Sequence, residues 1–271
     1  MKIIGTGFLT PEGRADANRF ALELTPITDL VEKAINLCHK GLESVVVTEQ
    51  QTDEERQRLI SCVVLARLLE IGESMVVLAK GCFPVEVSVA LRVFLDAYFI
   101  FGNVCKAPGF IPQYFGTDLR AREKLINAAS KHKAALFEPI NQYATAEVRK
   151  ELGEDIASKN AEAFSSYGYA ANVGCTELYD GMYRITSLAV HSMPRSLAGY
   201  VTEDANGSVT ALIRGPQLGD IRERLLDLGC FLLNVRSAFD ELFGLDSTAA
   251  ILELRELLGV FDSVETETGA T

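Results

Sequence analysis

Apolar residues recur at helical spacing through most of the chain and are interrupted by short polar breaks. The first regular stripe begins at Pro26, whose fixed backbone angle suits the opening turn of a helix. Thr52 precedes three acidic residues, a combination that favours a helix start through capping and the helix dipole. The pattern predicts helices over residues 26–47, 53–80, 85–104, 112–150 (with a break near Pro139), 176–191, 217–243 and 247–260.

Only a small part of the sequence has strand character. Residues 200–214 alternate between apolar and polar positions around Asn206-Gly207, which predicts a small β-hairpin. A short extended piece is expected within residues 3–8, and residues 151–175 are expected to be irregular. No repeat or Gly/Ser linker divides the chain, so we expect an all-α fold, a single-domain helical bundle. Its expected parts are an N-terminal extension over 1–25, the bundle over 26–260 and an acidic flexible tail over 261–271.

Composition and charge narrow the choice of partners. The chain has 271 residues, of which 48% are hydrophobic, enough for a sizeable core, and its formal net charge is −11. This acidity argues against a general nucleic-acid binder and against anionic membrane surfaces, so neither a DNA partner nor a membrane is expected. A basic-biased stretch over 120–133 still allows a local anion site. No signal peptide or membrane span is recognised, so we expect a cytoplasmic protein.

Motifs for cofactors and metals are missing from the sequence. There is no phosphate-binding glycine loop, no HExxH and no CxxC pair among the six cysteines. Histidine chemistry is restricted to His39, His132 and His191. We therefore expect no cofactor and no metal.

The segment around Arg184 and His191 combines three groups suited to phosphate chemistry. Seven residues at about 100° each place Arg184 and His191 within about 20° of one helix face, separated by about 10.5 Å along the axis. Ser187 is expected on the same stripe. A guanidinium binds phosphate and an imidazole transfers protons, so these three are the candidate catalytic residues. The structural alternative is an ion pair of Arg184 with Asp180, four residues earlier, and a histidine placed at the negative end of the helix dipole.

A second polar set lies in the strongly apolar helix predicted over 85–104. Arg92 and Asp96 stand four residues apart, and a buried arginine must be paired. They form either a structural ion pair or part of a cavity shared with Arg184 and His191. With Tyr183, they are the candidate binding residues.

Two resemblances give these residues a functional context. The spacing Arg184-x6-His191 resembles the signature of the HEPN superfamily, and the wider layout is similar to an uncharacterised bacterial all-helical family over roughly residues 60–215. The residues that carry the second resemblance are Leu91-Arg92-Val93-Phe94-Leu95-Asp96, Leu178-Tyr179, Tyr183-Arg184, Ser187 and His191.

The HEPN resemblance implies a metal-independent endoribonuclease, in a toxin or phage-defence setting. It implies that His191 transfers a proton while the ribose 2′-hydroxyl attacks the adjacent phosphate, and that Arg184 stabilises the added charge. Ser187, as an auxiliary donor, is our addition. The resemblance also implies an RNA substrate and a homodimer with the site between the two copies.

A non-catalytic helical interaction or ligand-binding module is the alternative function. In that case Arg92, Asp96, Arg184 and His191 form one buried polar network that stabilises the bundle.

Overall fold

The computed structural model describes residues 2–47 and 52–268, with side chains up to residue 259, and most of these residues are helical. The helices are α1 (Pro11–Glu43), α2 (Asp53–Lys80), α3 (Pro84–Lys106), α4 (Phe110–Ala129), α5 (Glu138–Tyr143), α6 (Ala146–Ser158), α7 (Ser166–Asn172), α8 (Thr176–Leu178), α9 (Arg184–Val190), α10 (Pro194–Leu197), α11 (Ile221–Phe243) and α12 (Thr248–Thr268). Short 3₁₀ turns cover Ala135–Phe137 and Ala198–Tyr200, and a π-helical turn covers Tyr179–Tyr183. The strands are β1 (Lys2–Ile4), β2 (Val201–Glu203) and β3 (Val209–Ile213). The predicted all-α class with a small hairpin is confirmed.

Four long helices, α1, α2, α3 and α11, pack around the hydrophobic core. The largest fully buried side chains are Phe94, Phe99, Phe101, Phe239, Ile27, Leu65, Leu68, Leu69, Met75, Leu91, Leu95 and Ile111. Because α3 contributes five of these twelve, it is the central helix of the bundle. No helix in the described part of the chain combines the length and apolar character needed to cross a membrane.

Helix α2 confirms the prediction over 53–80. The Thr52 hydroxyl accepts a hydrogen bond from the backbone N–H of Glu55 (3.2 Å), and the Glu55 carboxylate accepts one from the backbone N–H of Thr52 (3.0 Å). This reciprocal capping satisfies two N–H groups that a helix start otherwise leaves unpaired.

The predicted helix start at Pro26 is wrong, because α1 already begins at Pro11. The Thr10 hydroxyl caps it by accepting from the backbone N–H of Gly13 (3.0 Å), and Pro11 occupies the first turn. Pro26 lies inside the helix, where it cannot donate to the carbonyl of Leu22. Since Leu22 is on the exposed side of α1, water can donate a hydrogen bond to its carbonyl oxygen instead.

The single long helix predicted over 112–150 is also wrong. Helix α4 ends at Ala129, and Pro139 lies in the first turn of the short helix α5. The Thr145 hydroxyl then caps α6 through the backbone N–H of Val148 (3.3 Å). Residues 151–175 are less irregular than expected, since α6 continues to Ser158 and α7 follows.

The hairpin predicted over 200–214 forms as β2 and β3, which pair antiparallel. The Asp204 carboxylate closes its turn by accepting from the backbone N–H groups of Asn206 (2.8 Å) and Ser208 (3.0 Å). The sequence did not predict that β1 adds to β3 in parallel, with Ile3 opposite Leu212.

At the C-terminal end of the chain, α12 extends beyond the predicted end at residue 260. The backbone of α12 covers residues 261–268 of the expected flexible tail, while the side chains from 260 onward and residues 269–271 lie outside the described residues.

A buried arginine joins α1 to α11. Arg236 donates to the carbonyl of Leu37 (3.0 Å) and to the Ser247 hydroxyl (3.0 Å), and its Nε lies 2.8 Å from a carboxylate oxygen of Asp240. The guanidinium occupies the space next to Gly41, where a Cβ atom would lie 1.5 Å from Nη1. Only glycine at this position leaves room for the ion pair.

We therefore expect Gly41→Ala to destabilise the fold, although alanine normally favours a helix. Displacing Arg236 uncouples a buried ion pair, which costs about 3–5 kcal/mol. Gly153→Ala in the exposed part of α6 is the control, because nothing lies near its Cβ position, and it should stabilise by up to about 1 kcal/mol. Urea unfolding of both variants measures the difference. Equal stability of the two would contradict this account of Gly41.

Candidate functional site

Arg92 is the centre of a hydrogen-bonded group that joins α3 to the short helices packed on it. Its Nε donates to the Ser187 hydroxyl (2.9 Å), and its two terminal nitrogens bind the Asp96 carboxylate and the Tyr183 hydroxyl. Asp96 also accepts from the Ser166 hydroxyl (2.7 Å) and the Tyr183 hydroxyl (3.1 Å). We call these five residues the Arg92 network. All three guanidinium nitrogens have a partner, as a largely buried cation requires.

Aromatic rings extend this network toward the surface. The guanidinium carbon of Arg92 lies 3.4 Å from the ring centre of Tyr183, which stacks on Tyr179 at 4.4 Å. The guanidinium carbon of Arg184 lies 5.4 Å from the ring centre of Tyr179. Two cations and two rings thus form a continuous series, in which the ring faces attract the cations. Both tyrosines belong to the π-helical turn, a feature frequent at functional sites.

Arg184 and His191 lie on the surface. The side chain of Arg184 is 64% exposed, and its Nε donates to Asp180 (2.9 Å), the ion pair expected as the structural alternative. His191 directly follows α9 and is exposed, and its side chain makes no hydrogen bond to any residue that the structure describes. Residues 184–190 are α-helical and His191 is the next residue, so the separation of about 10.5 Å along one face stays an estimate from helix geometry.

Ser187 belongs to the Arg92 network and is turned away from the Arg184–His191 stripe. Besides accepting from Arg92, it donates to the carbonyl of Tyr183 (2.7 Å). Three residues after Arg184, its side chain is rotated by about 60° from the stripe, enough to face α3. The observed network therefore has Ser166, Tyr183 and Ser187 in place of the expected Arg184 and His191.

Exposed apolar side chains lie in the same segment as the stripe, and no pattern in the sequence marks them as exposed. Ile185 and Val190 on α9, Met193 before α10 and Leu197 within α10 are each more than 40% exposed. A group of exposed apolar residues around a polar pair is typical of a surface that another molecule covers.

Other reactive groups give no further centre of this kind. Burial raises the pKa of the Cys38 and Cys105 thiols to about 12, so both stay protonated at neutral pH. Within the described residues, no three His, Cys, Asp or Glu side chains lie close enough to share a metal ion.

Comparison with known families gives a match over residues 58–208, more than half of the chain. The chain belongs to the family of unknown function DUF5677. The DUF5677 segment runs from α2 to the hairpin and contains the whole Arg92 network, Arg184 and His191. An uncharacterised all-helical family is therefore confirmed over the range expected, and the HEPN resemblance stays a prediction. No curated protein and no solved structure matches the chain.

We expect Arg92→Ala to lower the stability of this DUF5677 protein by about 2–3 kcal/mol. The loss is smaller than the ~3–5 kcal/mol of a fully buried pair, because the side chains of Arg92 and Asp96 are 18% and 30% exposed. Arg184→Ala is the matched control, with an expected loss of at most about 1 kcal/mol because its ion pair is exposed. Chemical unfolding of both variants tests this, and an equal loss would refute the different placement of the two arginines.

Proposed function

We propose that the protein is a metal-independent endoribonuclease in which Arg184 and His191 act on an RNA phosphate. One observation supports the proposal most strongly: Arg184 begins the short helix α9, His191 directly follows it, and both side chains are exposed, while Ser187 on an adjacent side of α9 is held by Arg92 of α3. A cation and an imidazole on one segment, both open to a large substrate, are what this chemistry needs.

The geometry suits a single displacement at phosphorus. His191 accepts the proton of the ribose 2′-hydroxyl as that oxygen attacks the phosphate. The bond between phosphorus and the 5′ oxygen breaks, and this oxygen leaves with a proton taken from solvent. The products are a 2′,3′-cyclic phosphate and a 5′-hydroxyl. Asp180 binds Arg184 only through Nε, so the two terminal nitrogens can donate to the phosphate oxygens.

A homodimer is part of the proposal. The exposed apolar residues Val190, Met193 and Leu197 adjoin the stripe and would be covered if two copies met there. Each active site would then lie at a two-fold interface, as the HEPN resemblance implies.

A non-catalytic binding module is the second candidate, and the Arg92 network is the observation that favours it. Its charged groups are already paired with one another, so the network stabilises the fold without any chemistry. The two candidates differ in whether the surface residues Arg184 and His191 matter for RNA cleavage.

We expect the wild-type protein to cleave single-stranded RNA in the presence of a metal chelator. His191→Ala and Arg184→Ala should each lower the rate by about 100-fold or more, because each removes a group that acts in the transition state. His39→Ala is the control, since this histidine pairs with Glu73 on another part of the surface and should leave the rate unchanged. Cleavage is followed on end-labelled RNA with analysis of the 3′ ends. Equal rates for all variants, or no cleavage by the wild type, would reject the proposal.

We also expect light scattering to give a mass of twice the 29.6 kDa chain at micromolar concentration. Met193→Glu should shift it toward a single chain, because a charge at an apolar interface is left unpaired. Val46→Glu places the same charge on an exposed valine in the segment after α1 and should leave the mass unchanged. A monomeric wild type, or a dimer that Met193→Glu does not weaken, would argue against an interface at α9 and α10.

A further inference from the structure

A cavity of about 320 Å³ lies beside α9, between this helix, the first turns of α3, α10 and the loop 215–220. Its apolar wall is formed by Pro84, Val85, Ile185, Leu188 and Ala189. Sites for small molecules commonly start at about 300 Å³, so this volume suits a ligand the size of a single nucleobase or nucleoside.

Several polar groups that line the cavity have no partner in the described part of the protein. Ser88 is 8% exposed, and its hydroxyl makes no hydrogen bond there. The side-chain amide of Gln217 and the guanidinium of Arg195 are likewise without a hydrogen bond or ion pair within the described residues. These groups are open to hydrogen bonding by a ligand that enters the cavity.

The charged residues of the cavity lining are Arg195, Arg224 and Asp220. Arg224 lies 2.8 Å from Asp220 and 3.5 Å from Asp227, which is outside the lining, so Arg195 is the one lining charge without an ion pair in the described part of the chain. Both contacts of Arg224 with Asp220 use Oδ2, which leaves Oδ1 as a free acceptor. The lining therefore offers both a cationic donor and a free carboxylate acceptor, which suits a ligand that carries hydrogen-bond acceptors and donors.

The loop that closes the cavity is tightly held. Gly219 has a φ of +49°, and a Cβ there would lie 2.8 Å from the side chain of Pro84. Gly215 has a φ of +94°, and a Cβ there would lie 2.0 Å from the carbonyl oxygen of Thr6. The backbone N–H of Gln217 donates to the carbonyl of Cys82 (3.2 Å). A cavity held on several sides loses little entropy when a ligand binds.

We propose that this cavity binds a base of the RNA substrate and prefers guanine. Guanine is neutral and has an amino donor, which the free Asp220 oxygen accepts, and its O6 and N7 atoms are acceptors that suit Arg195. The Ser88 hydroxyl and the Gln217 amide can each donate a hydrogen bond to the base or accept one from it. Unstacked bases of single-stranded RNA are commonly read in this way.

The position of the cavity connects this proposal to the proposed function, on which it rests for the role of the bound base. Leu188 lines the cavity and stands four residues after Arg184, which places the two side chains about 40° apart on α9. The cavity therefore adjoins the Arg184–His191 stripe, and a nucleotide with its base inside would place its phosphate near that stripe.

Titration calorimetry of the full chain with free guanosine, adenosine, cytidine and uridine tests the cavity without requiring cleavage. We expect guanosine to bind at least 10-fold more tightly than the other three nucleosides. Asp220→Asn should weaken guanosine binding at least 10-fold, because an amide presents a donor to the guanine donors. Asp118→Asn is the matched control, since it breaks an equivalent Asp–Arg pair on α4 and should change nothing. Ala189→Leu fills the cavity and should abolish binding even if Asp220→Asn disturbs the fold.

The outcomes separate this inference from the proposed function. No binding of any nucleoside, equal binding of all four, or guanosine binding unchanged by Asp220→Asn and Ala189→Leu overturns the cavity assignment. If RNA is cut at every base and guanosine does not bind, the nuclease proposal stands and the base site falls. If guanosine binds as expected and RNA is not cut, the base site stands and the nuclease proposal falls.

Discussion

The guanidinium of Arg92 is the constraint around which the candidate site is arranged. It stands on α3, the central helix of an apolar bundle, where an unpaired charge would be very costly. Its partners come from α3 itself, the π-helical turn and α9, and Ser166 of α7 donates to one of those partners, Asp96. Tyr169 and Ala170 of α7 and Tyr183 of the π-helical turn also belong to the main core, so polar contacts with α3 act together with apolar packing to fix these segments.

The same contacts decide which side chains α9 presents to solvent. Once Ser187 is turned toward Arg92, helical geometry leaves Arg184 and His191 on an outward face and places Leu188 and Ala189 at the neighbouring cavity. A single buried polar contact therefore orients two separate surfaces. The buried network and the exposed pair have different roles, although their residues are interleaved in the sequence.

Local signals in the sequence were sufficient for much of the fold. Thr52 and the acidic residues after it defined α2, and Asn206-Gly207 defined the hairpin, because both features depend on a few adjacent residues. Pro26 gave a false helix start because the exposure of Leu22, which makes this proline tolerable, depends on how α1 packs. For the same reason, neither the direction of the Ser187 side chain nor the cavity could be predicted from the sequence. They arise from residues far apart in the chain, such as Arg92 and Ser187.

The pairing of β1 with β3 has a consequence for how the protein is handled. Strand β1 lies at the edge of the sheet, and Thr6, just after it, is packed against Gly215 at the start of the loop that closes the cavity. The backbone N–H of Arg214 also donates to the carbonyl of Ile4 (3.0 Å). Residues 2–7 and the cavity loop are thus held together. A fusion tag or a truncation at that end would loosen a loop more than two hundred residues away in the sequence, so an affinity tag belongs elsewhere.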